Sequence, residues 1–440
     1  MSTNRRAVLL ALVALALAAP AVALRVLCVG RACPERTGPP EPVPFCSLPA
    51  ETRDLLAAGF RDGRGPHVLA VTGETPVVGG DGSGVPPVAW PGVGPDDAGR
   101  VPLAFAGAGV APGAEVPEGA TLDVVAPTVA ELIGLDRPHP GVRSGRAIPG
   151  VAGGPAPRLV VLVVWKGVGS QSLEARPDAW PNLRGMVRGG AGTLQARVGS
   201  LPLDPAAVEA TVGTGALPSD HGITGALLRN DVGEMVTALG PGSPFSVIAA
   251  LGDDLDELRD QAPRIGLVGT TEWDRGLIGG TWYLENDRDD VILERRPDRQ
   301  VAAAAELVAS GYGRDDVPDL LAVAMEGPLA KLDQTLGRLI RLADRAVGGR
   351  AATVVTATGA TGPAGGVGAG ELLTELRTDL GPVVEAAGVG GFFLDTEAMA
   401  AEGIAGDRVV RAIRQLAGPG GGSLFDDVFP QIAVTFARYC

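Results

Sequence analysis

Short runs of apolar residues alternate with amphipathic stretches along most of the chain. Apolar runs rich in valine, leucine and alanine predict buried strands at 159–165, 264–269, 319–325 and 352–359. Between these runs, apolar positions at helical spacing predict helices near 178–188, 205–212, 298–310 and 329–346. Strands that alternate with helices are typical of βαβ units. The sequence therefore predicts an α/β fold with a central, mostly parallel sheet flanked by helices.

The same alternation begins earlier in the chain. Within residues 50–135 the pattern predicts a helix at ETRDLLAAGF, strands at HVLAVTG and VPLAFAG, and a helix at VVAPTVAELIGL. The segment PGVAGGPAP, residues 149–157, has the composition of a linker. Residues 284–297 are densely charged and predict a solvated loop or hairpin. A calcium loop is the alternative there, although the usual glycine and spaced acids are missing.

Composition narrows the classes of function. The chain has 440 residues, of which 45% are apolar, and a formal net charge of −14. This apolar content allows a sizeable core. The negative charge, together with the scarcity of aromatic residues and the lack of a basic patch, argues against nucleic acid as a partner.

The N-terminus has the features of an export signal. Arg5 and Arg6 precede an apolar segment at 7–19, and Ala21-Val22-Ala23 fits a cleavage site, so residues 1–23 predict a signal peptide. The alternative is an uncleaved anchor that tethers the protein to a membrane. Export is favoured because the small-residue site follows the helix-breaking Pro20. The expected location is the cell envelope or the extracellular space.

The four cysteines lie at the two ends of the chain, at Cys28, Cys33, Cys46 and Cys440. In an oxidising compartment they allow three pairings, between which the sequence does not choose. Every full pairing, however, joins Cys440 to the N-terminal segment. Free thiols are the alternative, which export disfavours.

Beyond residue 158, several motifs follow one another in a fixed order. The strand that ends at Lys166 is followed by WPNLRGMVRGGA and then by SLPLDPAAVEATVGTGALPSDHGITG. This order resembles the alkaline phosphatase superfamily, particularly its phosphodiesterase and nucleotide pyrophosphatase branch. In that family a strand ends in Asp-Gly, a PNL helix follows, and the nucleophile helix closes with a TG…P…HGI signature. Thr214-Gly215, Pro218 and His221-Gly222-Ile223 match the signature, and PDLLAVAM, LDQTLGRLI and ATVVTATGA resemble the later metal-binding half.

The elements with which the family ends occur here near the N-terminus. VPLAFAGAGVAPG, DVVAPTVAELIGL and GVRSGRAI resemble the family's closing strand, its APT-containing helix and its terminal turn. The resemblance therefore implies a circularly permuted domain. Residues 24–148 would form its permuted C-terminal part, 149–157 would join the family's natural ends, and 158–440 would form the N-terminal and middle parts. Permutation is tolerated where termini lie close together at the surface.

The residues at the family's catalytic positions do not suit its chemistry. The family uses two divalent metals, typically zinc, held by carboxylates and histidines. The resemblance places Lys166 at the first metal-binding aspartate, Pro205 at the nucleophile, and Thr358-Gly359-Ala360 at a metal-binding Asp-His-Gly. Proline has no nucleophilic atom, and the D-x-x-x-H loop expected after PDLLAVAM is absent. We therefore expect a degenerate site without a metal cofactor.

The three histidines do not change this expectation. His221 belongs to the HGI signature, which is structural in the family, while His67 precedes a strand and His139 lies between prolines. No pair of them has the spacing of a zinc site.

The candidate binding residues are Lys166, Asp204, Glu209 and Thr358. The Lys166 ammonium could take the electrostatic place of a lost metal and hold acidic neighbours together, or it could extend to solvent. Asp204 and Glu209 are the local acids that could act in catalysis. For both, the alternative is ordinary chemistry at a helix N-terminus, where acids are favoured.

The sequence thus predicts an exported pseudo-hydrolase whose remaining function is to bind a small anionic ligand or an envelope protein. An active phosphodiesterase or phosphatase with an atypical site is one alternative. An envelope scaffold or partner-binding module is the other.

Overall fold

The computed structural model describes residues 44–72, 77–78, 89–90, 99–111, 113–280, 282–283, 289–360, 367–418 and 421–440. The predicted signal peptide or anchor at 1–23 and the cysteines Cys28 and Cys33 lie outside the described residues. Among the described helices, none is long and apolar enough to span a membrane. The chain divides into two compact units, residues 1–47 and 48–440.

The strands are numbered in chain order. They are β1 Val68–Thr72, β2 Val77–Val78, β3 Ala89–Trp90, β4 Arg100–Gly107, β5 Leu159–Trp165, β6 Ala191–Arg197, β7 Leu227–Arg229, β8 Met235–Thr237, β9 Ile265–Gly269, β10 Asp290–Leu293, β11 Asp319–Met325, β12 Ala351–Ala357, β13 Val367–Gly368, β14 Val384–Gly388, β15 Gly391–Leu394 and β16 Phe425–Pro430.

The helices are numbered in the same way. They are α1 Pro44–Ser47, α2 Ala50–Ala58, α3 Val125–Leu132, α4 Ser170–Ala175, α5 Pro181–Gly189, α6 Pro205–Thr214, α7 Pro218–His221, α8 Leu251–Leu258, α9 Pro297–Ser310, α10 Leu329–Val347, α11 Ala369–Leu380, α12 Thr396–Glu402, α13 Gly406–Arg414 and α14 Ile432–Thr435.

A seven-stranded sheet in the order β10-β9-β11-β5-β12-β4-β6 forms the centre of residues 48–440. Its first five strands are parallel, and every residue of β5, β11 and β12 is buried. Continuous apolar runs produce such strands because both faces of a parallel sheet are covered by helices. The predicted fold class, a mostly parallel central sheet flanked by helices, is confirmed.

Strand β4 joins this sheet with the opposite direction. It pairs antiparallel with β12 on one side and with β6 on the other. The strand predicted at VPLAFAG therefore lies in the same sheet as residues 159–165, as the sequence led us to expect. The segment 149–157 belongs to no strand. Its one β-bridge is the isolated pair of Ala152 with Val110.

Helix α10 shows how the helices cover the sheet. Its buried residues include Leu332, Leu336 and Leu339, which recur at the spacing of one helical face. The helix ends at Gly348, whose backbone adopts the left-handed conformation that is common just after a last helical turn. The amphipathic pattern of the sequence thus specifies which face of α10 packs on the sheet.

A second sheet and a second core are built from distant parts of the chain. Strands β14, β15, β1 and β16 form an antiparallel four-stranded sheet, in which β1 pairs with β15 and β16. Helices α11 and α13 cover it, with Leu373, Leu376 and Ile413 in the core. The strand predicted at HVLAVTG exists as β1, but it belongs to this second sheet.

The charged segment at 284–297 differs from its prediction. Residues 290–293 form strand β10, which pairs in parallel with β9 at the edge of the central sheet. An edge strand with half-exposed residues lacks the apolar run that identifies buried strands, so its sequence pattern resembles a solvated loop.

Both described cysteines are oxidised. Cys46 and Cys440 are each disulfide-bonded, so neither is the free thiol that the sequence left as the alternative.

Candidate functional site

Lys166 follows the buried strand β5 directly and is itself buried, with 8% of its surface exposed. Its backbone N–H donates to the carbonyl oxygen of Met325 at 2.8 Å, which extends the pairing of β5 with β11 by one residue. The side chain does not extend into solvent, so of the two sequence-based alternatives the structure shows the inward one.

The ammonium of Lys166 is held by three acceptors. Nζ donates to Oγ1 of Thr270 at 2.8 Å, to Oγ1 of Thr271 at 3.0 Å, and to Oδ1 of Asp274. An ammonium group has three N–H donors, so each donor has a protein acceptor. The ring of Trp273 lies 5.4 Å from Nζ and adds a cation–π contact. Little of the lysine's hydrogen-bonding capacity remains for a ligand.

Asp274 is positioned by a short 3₁₀ helix, Glu272–Leu277, that follows β9. Its Oδ2 accepts from the backbone N–H of Thr270 at 2.6 Å and from that of Thr271 at 3.2 Å. Burial raises the pKa of Asp274, but the charge of Lys166 and the hydrogen bonds to the carboxylate outweigh burial, and the pKa lies below its usual value. The carboxylate is therefore ionised and forms a buried ion pair with Lys166.

Glu209 projects from α6 toward the same ammonium. Its Oε1 lies 3.7 Å from Nζ of Lys166, and the residue is fully buried. Neither carboxyl oxygen accepts a hydrogen bond from a described donor, and the carboxylate of Asp274 is the neighbour to which a protonated Glu209 can donate. Burial, and then the negative charge of Asp274, raise the pKa of Glu209 well above its usual value. The protonated form of Glu209 is therefore favoured relative to an exposed glutamate.

Asp204 caps the N-terminus of α6. Its Oδ1 accepts from the backbone N–H groups of Ala206 and Ala226, both at 2.9 Å. Burial raises the pKa of Asp204 to about 6. The carboxyl group thus caps the helix and attaches the 222–226 loop to it, which is the structural role that sequence offered as the alternative. Pro205 occupies the first position of the helix, where its missing N–H removes no helical hydrogen bond.

Thr358 and Gly359 lie at the carboxyl end of β12. Oγ1 of Thr358 accepts from the backbone N–H of Gly167 at 3.0 Å, and its own N–H donates to Trp165 at 3.1 Å. Gly359 has a φ of +99°, a conformation that favours glycine. Thr358 therefore fixes the loop that begins at Lys166, and it is not among the described acceptors of the ammonium.

The histidines are spread over separate places. His221 is fully buried; its Nδ1 accepts from the N–H of Ile223, its Nε2 lies 3.1 Å from Oγ1 of Thr211, and burial lowers its pKa to about 3. His67 accepts from the N–H of Leu394, and His139 is exposed. Within the described ranges, no group of three His, Cys, Asp or Glu side chains is arranged to hold a metal.

Sequence reasoning identified Lys166 and Glu209 but missed Asp274 and the two threonines. The missed residues follow the predicted strand at 264–269, in the stretch TTEWD. A threonine followed three residues later by an acid is the pattern of a capping box, and it stands at the carboxyl end of a parallel strand, where sites form. That combination could have indicated Asp274.

Comparisons with known proteins give only a distant relationship. The chain matches no model of a protein family, and no curated protein is similar to it. Among solved structures, it is similar to a mutant of alkaline phosphatase PafA, with a TM-score of 0.40 and 15% identity over 60% of this chain and 77% of that one. Wild-type alkaline phosphatase PafA gives a TM-score of 0.40 and 15% identity over 59% and 76%.

Proposed function

We propose that this protein is an exported pseudo-hydrolase of the alkaline phosphatase superfamily, with a binding role in place of turnover. The observation that carries the proposal is the buried ion pair of Lys166 with Asp274. Lys166 stands where the family resemblance puts a metal-binding aspartate, and its charge compensates the carboxylate that a metal would otherwise neutralise.

The residues around Lys166 do not fit a divalent cation. Such an ion would lie beside a buried ammonium, and two like charges in a site of low dielectric repel strongly. The ionised carboxylate of Asp274 is already bound, and the raised pKa of Glu209 favours its protonated form, which is a poor metal ligand. The side chains at this site therefore support no reaction step that depends on a metal.

The nucleophile position supports the same proposal. The family's attacking hydroxyl is replaced by Pro205, which is buried at the start of α6. Asp204 beside it uses its carboxylate to bind two backbone N–H groups. A group that is buried and bound in this way is not presented to a substrate as nucleophile or base.

The structure also bears on the proposed circular permutation. A permuted chain must bring its N-terminal elements into the same sheet as its middle elements, and β4 does pair with β12 in the central sheet. Helix α3 belongs to the same hydrophobic core, through Val125 and Val129 among others. Both observations support the permutation.

Export is supported by the oxidised cysteines. Disulfide bonds persist in secreted and envelope proteins and are rare in the cytosol, where thiols are kept reduced. Cys46 and Cys440 are both disulfide-bonded.

The decisive experiment measures metal content and stability together. Purified protein is analysed for zinc and other divalent metals, and its melting temperature is recorded with and without a chelator. We expect substoichiometric metal and an unchanged melting temperature, because a bound metal would stabilise the folded state by mass action.

An assay on an aryl phosphodiester accompanies this measurement. We expect no turnover above that of the same protein after heat denaturation, which serves as the background. Stoichiometric zinc, together with turnover that a chelator abolishes, would refute the proposal.

A further inference from the structure

A cavity of about 440 Å³ lies beside α3, away from Lys166. Helix α3 and the segment 134–147 line it. This volume falls within the range of about 300–1,000 Å³ that is typical of small-molecule sites. The residues of the degenerate site around Lys166 do not line the cavity, so a ligand there would bind independently of that site.

The cavity wall contains two buried arginines that share one carboxylate. Nε of Arg137 lies 2.7 Å from Oδ2 of Asp254, and Nη2 of Arg143 lies 2.9 Å from the same oxygen. Arg137 and Arg143 are only 8% and 6% exposed, and Asp254 is fully buried. Two guanidinium groups therefore face one carboxylate within this cluster, and the acids Glu131 and Asp136 lie elsewhere on the cavity lining.

The two arginines differ in how far their donors are used. Arg137 also donates to the carbonyl oxygens of Thr214 at 3.0 Å and Ala249 at 2.9 Å, so each of its nitrogens has an acceptor. Nε of Arg143 is buried and has no hydrogen-bond partner among the described residues. A buried donor left unpaired is costly, and a ligand or an ordered water can satisfy it.

A third arginine, Arg146, is exposed at the same cavity. Its Nη1 donates to the carbonyl oxygens of Arg143 at 2.6 Å and Gly145 at 2.8 Å, which fixes the orientation of the guanidinium. Its Nε and Nη2 make no hydrogen bond to a described residue. A guanidinium held in this way can offer two parallel N–H groups to a carboxylate.

The rest of the lining limits what the ligand can be. Apolar side chains, including those of Pro127, Ala130 and Leu135, suit a hydrocarbon body. Glu131 and Asp136 line the same cavity and would repel a second negative charge.

We propose that this cavity binds a small monocarboxylate with an apolar body. The carboxylate is held by Arg146, beside the unpaired Nε of Arg143, and the hydrocarbon part packs on the residues of α3. The site is separate from Lys166, so the inference does not depend on whether that region is catalytic.

Isothermal titration calorimetry on the full chain tests the proposal with four probes of known chemistry. These are hexanoate, hexanol, acetate and hexyl phosphate. We expect hexanoate to bind more tightly than each of the others, because it alone combines a single negative charge with an apolar body. Hexyl phosphate binding more tightly than hexanoate would refute the assignment of a monoanion, and so would an absence of hexanoate binding at millimolar concentration.

Two variants locate the site. Arg146→Gln should weaken hexanoate binding about tenfold or more while leaving hexanol unaffected, because it removes a charged hydrogen bond. Ala147→Phe, which fills the cavity from its wall, should weaken both. Arg188→Gln, an exposed arginine on α5 outside the cavity, is the matched control. Equal hexanoate affinity in the wild type and Arg146→Gln would overturn the proposal.

Discussion

Lys166 and Arg143 are both buried cations that pair with a buried aspartate, yet their surroundings differ. Around Lys166, three acceptors meet three donors, and burial raises the pKa of the neighbouring Glu209. Around Asp254, two arginines meet one carboxylate, and one donor of Arg143 remains unpaired among the described residues, beside a cavity. The donors of the Lys166 ammonium are thus all used without a ligand, whereas one buried donor of Arg143 is not.

The carboxylates reflect the same difference. The pKa of Asp274 lies below its usual value although burial alone would raise it, because Lys166 and several hydrogen bonds stabilise the charged form. For Asp254, burial is the larger influence and raises the pKa in spite of both arginines. A buried charge is therefore well compensated at Lys166 and less completely at Asp254. The less complete compensation at Asp254 agrees with the proposed ligand site beside it.

The largest effect is expected for Lys166→Met. Removal of the ammonium leaves Asp274 as an uncompensated buried charge, which should lower the free energy of unfolding by about 3–5 kcal/mol. Urea unfolding followed by circular dichroism measures this. Lys331→Met is the control, because Lys331 is the other lysine of the chain and is exposed on α10; its change should stay within about 0.5 kcal/mol. A loss equal to that of the control would mean that Lys166 is not part of the fold's interior.

Arg137→Met should destabilise the protein less than Lys166→Met does. Asp254 keeps Arg143 as a partner, but the carbonyl oxygens of Thr214 and Ala249 lose their side-chain donor. We expect a loss of about 2–3 kcal/mol in the free energy of unfolding. Arg188→Met is the exposed control. A loss as large as that of Lys166→Met would show that the second cluster is as tightly compensated as the first, and the contrast between them would fail.

Glu209→Gln should raise the free energy of unfolding by an amount that depends on pH. The pKa of Glu209 is raised in the folded state, so the folded protein holds a proton that the unfolded chain releases above its ordinary pKa of about 4.3. The wild type therefore loses stability as pH rises from that value toward the folded pKa, by at most about 1.4 kcal/mol per pH unit. Glutamine does not titrate. Between pH 5 and pH 7 the free energy of unfolding of the variant should therefore rise relative to that of the wild type, by on the order of 1 kcal/mol.

Melting curves across this pH range measure the gain. A difference between variant and wild type that does not change with pH would contradict a protonated Glu209.

The smallest effect on stability is expected for Arg146→Gln. Arg146 is exposed and bonds only neighbouring backbone carbonyls among the described residues, so the free energy of unfolding should change by less than about 0.5 kcal/mol. A larger loss would place Arg146 with Arg137 as a structural residue.

The sequence predicted the parts of the fold that depend on local pattern. Strands β5 and β11 have the predicted bounds because continuous apolar runs with charged or glycine neighbours begin and end visibly. The second sheet could not be predicted in the same way, because β1 pairs with β15 and β16, which lie more than three hundred residues later in the chain. Pairing over such separations leaves no periodic signal in either segment.

The residues of the candidate site also differ in whether the sequence could predict them. Lys166 and Glu209 could be found because each stands in a motif whose order along the chain is specific. Asp274 follows β9, which is separated from β5 by β11, so its contact with Lys166 depends on the order of strands in the sheet. Arg143 and Arg146 of the cavity belong to a segment, GVRSGRAI, that the resemblance treated only as a terminal turn, and Arg137 lies just before that segment.

The burial of Lys166 has a practical consequence for labelling. The chain contains two lysines, and in the folded state one is enclosed by Thr270, Thr271 and Asp274 while Lys331 is exposed. An amine-reactive dye at moderate pH should therefore modify Lys331 as the one accessible side-chain amine. Peptide mapping after brief exposure would report the opening of the Lys166 cluster as modification of a second lysine, so the chain carries its own probe of local unfolding.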